Sequence, residues 1–237
     1  MDSQTFFSNE SRGRIDAAVA EAEKNTSGEI VPILATASDE YARALFLAGA
    51  WSATIATFAI IAVYCVLTFT GSHSQPESFD GGTDWLGLAY EAFKAPLFVV
   101  FPIQVVAYIF GYNLAANTPS LKRAFIPKEK MEEEVAQAAH EQFFQQRLNS
   151  TRDSTGIMIY VTLFERMVVV LADRAIEEKH DQTTWDKVRD LVLDGFKSGN
   201  PEEGYIAAIQ ECGRILAADF PKESDDTNEL PDHLRLV

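Results

Sequence analysis

Cysteine is almost missing from this chain. Cys65 and Cys212 lie far apart in unlike surroundings, so neither a disulfide framework nor a cysteine-based zinc site is available, and a reducing compartment is the expected setting. Basic residues are also scarce. Twenty Lys and Arg stand against 35 Asp and Glu, a formal charge of -15 and a pI near 4.6. That is the wrong sign for a protein whose main partner is a phosphate backbone, and no nucleic acid is expected. The four histidines, His73, His140, His180 and His233, show no metal-ligand spacing. No serine or cysteine sits in a nucleophile-elbow context, and no glycine-rich loop is placed to cradle phosphate. At 237 residues the chain has room for one ordinary domain, or for a small domain plus something else.

Charge is also missing locally. From Ala44 to Thr70, and again from Ala95 to Leu121, there is no Asp, Glu, Lys or Arg. Each run exceeds the ~20 apolar helical residues that cross a hydrocarbon core of ~30 Å, so residues 44–70 and 95–121 are expected to be two transmembrane helices. Gln104, Asn113 and Asn117 in the second run suit hydrogen bonds to the first helix or to a second copy of the chain. Pro96 and Pro102 are expected to kink or start that helix. The opening MDSQTFFSNE has no basic region leading into an apolar run, so no cleavable signal peptide is expected. Arg43 and Lys122, Arg123, Lys128 and Lys130 flank the spans, whereas the connection 71–94 carries Glu77, Asp80, Asp84 and Glu91 against Lys94. By the positive-inside rule the acidic connection is external, both termini are cytoplasmic, and the chain belongs in the inner (plasma) membrane as a multi-pass protein.

What remains, residues 1–43 and 122–220 with a tail 221–237, reads as two parts of one α/β domain. Ile15, Ala18, Val19 and Ala22 repeat at helical spacing before Thr26-Ser27-Gly28 and the apolar IVPILATA. Lys128 to Leu148 is an amphipathic helix with Met131, Val135, Ala138, Ala139 and Phe143 on one stripe. Ser154-Thr155-Gly156 then leads into IMIYVTL, and Phe164-Glu165-Arg166 turns it into MVVVLA, an antiparallel hairpin. Two helices follow, about Thr183 to Lys197 with Trp185, Val188, Leu191 and Phe196 apolar, and about Pro201 to Ala218. The expected fold class is α/β, an α/β/α sandwich on a small mixed sheet, interrupted by a two-helix transmembrane hairpin. The last residues, His233 to Val237, suit either a short docked strand or a solvated tail.

Strand order then sorts the carboxylates. Glu29 at the start of the first strand, Asp153 before the second and Asp173 after the third are expected at one edge of the sheet, where together they could supply oxygen ligands to calcium or magnesium. Asp173 is equally suited to capping the helix that follows it. Besides such a cation, no cofactor is expected.

The segments TSGEIVPILA (Thr26 to Ala35), TGIMIYVTLFERMVVVLADRAI (Thr155 to Ile176) and NELPDHL (Asn228 to Leu234) resemble the TPM domain family, in its bacterial membrane branch with two transmembrane helices inserted in the domain. The resemblance implies an α/β/α sandwich, and members have been linked to acid phosphatase activity, calcium binding, photosystem repair and receptor modulation. The residue it carries over first is Asp173, within Leu171 to Ile176. Secreted members open with an aspartate-containing segment, which FFSNESRGRIDAAVAEAEK does not match. The expected function is a membrane protein whose TPM-like domain binds an unidentified membrane protein partner in assembly, repair or regulation of a complex. The alternative is a divalent-metal-dependent phosphatase using Asp173 as its catalytic residue. The expected partners are the lipid bilayer, that protein and a second copy of the chain.

Overall fold

The computed structural model describes residues 2–71, 85–151, 154–222 and 228–237. Asp153, most of the connection 71–94 and Asp225 and Asp226 of the acidic tail therefore lie outside the described residues. The chain divides into two compact units, Met1–Glu40 with Lys128–Val237, and Tyr41–Pro127.

The first unit holds helices α1 (Ser3–Phe6) and α2 (Asn9–Ala22) and strand β1 (Glu29–Ala35). After the second unit it continues with α6 (Lys128–Gln145), β2 (Gly156–Thr162), β3 (Met167–Ala172), α7 (Arg174–Glu177), α8 (Gln182–Lys197), α9 (Pro201–Asp219) and β4 (Arg235–Leu236). The four strands form one mixed sheet in the order β3-β2-β1-β4. β1 and β2 run parallel from Glu29↔Gly156 to Ala35↔Thr162, β2 and β3 pair antiparallel, and β4 runs parallel to β1. All residues of β1 and β2 are buried, the signature of strands covered on both faces.

The period-2 alternation assigns each side chain to a layer. Ile30, Leu34, Ile157, Ile159 and Val161 face a core shared with Ile15 and Val19 of α2, Trp185 of α8 and Ile209 of α9. Val31, Ile33, Met158 and Tyr160 face Val135, Ala139 and Phe143 of α6. The result is helices on both faces of a small mixed sheet. In α8 the expected stripe shifts by one: Val192 is buried while Leu191 is 37% exposed. The close approach of α9 sets this. Gly195 of α8 and Gly204 of α9 touch so tightly that a Cβ on Gly195 would lie 2.5 Å from Gly204 Cα. Tyr205, fully buried beside that contact, donates its hydroxyl to the Ile33 carbonyl (2.9 Å).

The second unit comprises α3 (Ala42–Gly71), α4 (Trp85–Asn117) and the short α5 (Pro119–Ala124). α3 and α4 pack antiparallel through polar contacts on the inside: Ser52 Oγ donates to the Ala107 carbonyl (2.6 Å), and Gln104 Nε2 donates to Thr57 Oγ1 (2.8 Å). Gly111 admits Ser52 so closely that a Cβ there would meet its Oγ at 2.1 Å. Trp51, Ile55 and Phe58 of α3 and Phe101, Val106 and Phe110 of α4 project outward, each more than half exposed.

Two expectations change here. α4 begins at Trp85 rather than Ala95, because Leu86 to Lys94 contains no helix breaker beyond Gly87, and it ends at Asn117 rather than Leu121, where Thr118-Pro119 starts α5. Both Pro96 and Pro102 lie inside it. Among the described residues, the helical stretch long and apolar enough to cross a membrane is Ala42–Val63, 22 residues of which 11% are buried. The expected second span does not reach that measure over its described part, where Gln104, Asn113 and Asn117 dilute the apolar residues.

Candidate functional site at the start of the first strand

Of the three expected ligands, Glu29 and Asp173 do reach the same edge of the sheet. Glu29 pairs with Gly156, and the Asp173 N–H donates to the Gly156 carbonyl (2.8 Å). Two strand spacings, about 10 Å, separate their backbones, and their side chains turn different ways. Asp173 caps α7, its Oδ1 accepting from the Arg174 N–H (2.7 Å). Glu29 Oε1 accepts from the Glu229 N–H (2.9 Å). Among the described residues no group of three His, Cys, Asp or Glu side chains is arranged to hold a metal ion, so the residues present do not fit the expected calcium or magnesium.

Glu29 belongs instead to another cluster. A small cavity beside β1 is lined by Glu23, Lys24, Gly28, Glu29, Asn228 and Asp232, among others. Glu23 follows α2, where the chain turns into β1, and its Oε1 accepts from the Ile30 N–H (2.7 Å). Its carboxyl group is also hydrogen-bonded to that of Asp232. Asn228 Nδ2 donates to Asp232 Oδ1, one turn of sequence away.

The electrostatics follow from burial. Desolvation pushes the Glu23 carboxyl up to about 8; the Ile30 N–H opposes this, and the negative charges of Glu29 and Asp232 reinforce it. Burial likewise raises Glu29, against the N–H groups of Glu229 and Leu230 that stabilise its charge. Raised carboxyls in a cleft are the usual mark of a general acid. Here, however, each one holds a backbone N–H of its own fold. Sequence reasoning missed Glu23 and Asp232. Their spacing within α2 and within NELPDHL gives no sign that they meet.

A domain can be compared with known families once this edge is described. Residues 118–215 match the TPM domain. The TPM match begins just before α5 and covers α6, the β2-β3 hairpin, α7, α8 and most of α9, thus including Asp173 but neither Glu23, Glu29 nor Asp232. No curated protein matches the chain. Its fold is similar to the NMR structure of the BA42 protein from the psychrophilic bacterium Bizionia argentinensis, with a TM-score of 0.53 and 19% identity over 98% of this chain and 96% of that one. At that identity the likeness speaks for the fold.

Proposed function

We propose that the chain is a membrane protein anchored in the inner membrane by α3 and α4, with both termini cytoplasmic, and that its TPM-like domain binds another membrane protein in assembly, repair or regulation of a complex. The observation that carries this reading is the outward apolar surface of Ala42–Val63, 22 residues with only 11% buried, inserted into an α/β domain whose carboxylates serve its own backbone. In water such a surface would be a severe liability; in lipid it is the expected exterior. The polar groups Gln104, Ser52 and Thr57 face one another inside the helix pair, as lipid requires.

The test is crosslinked capture from intact membranes in mild detergent. A reproducible heteromeric partner, lost when the α/β domain is replaced by an unrelated soluble domain on the same helices, is the expected result. Repeated recovery of the protein alone overturns the partner reading.

One observation favours the phosphatase reading: Asp173 Oδ2 is buried with no hydrogen-bond partner. Hydrolysis of a phosphomonoester that Asp173→Asn abolishes, with melting temperature unchanged, would establish it. Because the described side chains do not fit a divalent cation, millimolar calcium or magnesium is expected to leave the melting temperature where it is, a ligand bound only by the folded state being the one that raises it.

A further inference from the structure

The two edges of β1 are used differently. Odd-numbered residues face β2: the Glu29 N–H donates to Thr155 O (3.2 Å) and the Leu163 N–H to Ala35 O (2.9 Å). Even-numbered residues face β4: the Val237 N–H donates to Leu34 O (3.0 Å) and the Thr36 N–H to Val237 O (2.9 Å). Only the pairs Ile33↔Arg235 and Leu34↔Leu236 form this second ladder. Pro32 explains why it stops, since it has no N–H to offer a longer β4. The next donor along, Ile30 N–H, is taken by Glu23.

Residues 228–237 are therefore held to the domain largely by side chains. The Glu229 N–H donates to Glu29 (2.9 Å) and the Leu234 N–H to Asp16 of α2 (2.8 Å). Arg235 donates to Gln146, and Ser3 Oγ donates to Val237 O (3.0 Å). Between these points Asp232 meets Glu23 carboxyl to carboxyl.

We propose that residues 228–237 form a detachable strap on the edge of β1, closed by a proton shared between Glu23 and Asp232 and opened when that proton is lost. Two carboxyl groups hydrogen-bond to each other only while one is protonated. Without the proton, two negative charges meet in a half-enclosed cavity with a third, Glu29, beside them, and like charges there repel strongly. The surrounding charges are mixed. Lys24 and Lys222 line the cavity, Lys24 being paired with Glu21 (2.5 Å). Arg235 faces Glu29 from the strap itself, while Asp16 and Glu229 add negative charge along it. Glu23 releases its proton at a pH that a cell or compartment can reach, since burial holds it at about 8. Because the strap lies within the α/β unit, the device holds whether or not α3 and α4 enter a bilayer.

Amide hydrogen exchange of the full chain in mild detergent, corrected for the intrinsic pH dependence of exchange, tests this. Between about pH 6 and about pH 9.5 the protection of the 228–237 peptide is expected to fall at least about tenfold, while peptides from β2 keep theirs. Glu23→Gln, whose amide can still accept from Ile30 N–H and donate to Asp232, is expected to keep the strap protected across the range. Asp232→Asn should do the same, and it decides the matter if circular dichroism shows that Glu23→Gln does not fold. Equal protection of the native strap at both pH values overturns the proposal, as does a pH-dependent loss that survives in the folded variants.

Discussion

At the scale of single residues, the same acidic side chain has opposite consequences depending on what it meets. Glu211, ion-paired to Arg214 on the surface (2.6 Å), is held below its ordinary value by that guanidinium. Glu23, turned inward, is raised from 4.5 to about 8. The sign for stability follows. Between pH 4.5 and 8 the folded state holds a proton that the unfolded chain has released, so Glu23 favours unfolding increasingly as pH rises through that window and adds nothing further above it. Glu23→Gln is therefore expected to gain on the native protein from pH 5 to pH 8 and to hold a constant lead beyond, as read from urea midpoints across pH. A midpoint difference that is flat with pH would contradict the assignment. Tyr205 supplies a neutral counterpart. Tyr205→Phe leaves the Ile33 carbonyl without its buried donor and is expected to cost about 1 kcal/mol in urea unfolding at every pH below the tyrosine range. Glu29 could be picked out from sequence because it opens an apolar strand. Its true partners could not, since the Glu229 contact joins residues 200 positions apart and no local pattern encodes it.

Elements were easier to read than their contacts. Both buried strands, the β2-β3 hairpin and the α6 stripe Met131, Val135, Ala139, Phe143 follow from periodicity alone, because a helix or strand buried on fixed faces must repeat at 3.6 or 2 residues. What periodicity cannot tell is how near a neighbouring helix comes. In α8 the choice of Val192 over Leu191 depends on the Gly195–Gly204 contact with α9. At Gly204 two effects oppose each other. Alanine would gain ~1 kcal/mol of helix propensity, but its Cβ would lie 2.9 Å from both Gly195 Cα and Val192 O, backbone atoms that move only if the helices separate. Overpacking of that kind costs ~1–3 kcal/mol. Gly204→Ala is thus expected to lower the melting temperature, whereas Gly13→Ala in α2, where nothing lies within 4 Å of the added carbon, is expected to raise it. A short β4 was one of two readings open to the tail, and the structure selects it through two register pairs that no sequence window of five residues could favour over solvent.

The molecule as a whole carries its charge unevenly. Before Ala44 there are 4 basic and 8 acidic residues, from Gly71 to Lys94 1 and 4, and after Leu121 15 and 23, with none in the two apolar runs. A mean near zero on the hydropathy scale thus averages an acidic α/β unit with a helix pair that hides its polar atoms inside. If α3 is lipid-facing, its outward side chains must stay apolar while its inward ones need not, and the two faces should tolerate substitution in opposite ways. Ile55 is 63% exposed on the outer face, near the middle of a stretch that at ~1.5 Å per residue spans roughly 33 Å. A lysine there would cost ~2.5–3.5 kcal/mol of insertion free energy, a shift of roughly two orders of magnitude in the inserted fraction. Alkaline extraction of membranes should release Ile55→Lys, or leave it degraded, while the native chain stays in the pellet. Asn113→Leu, which removes a carboxamide already bonded to its own helix at Ile109 O (2.7 Å), should stay there too. The opposite pattern, with the native chain released by alkali, would mean that the apolar face of α3 is covered by protein rather than lipid. The partner sought for the domain would then have to be sought for the helices as well.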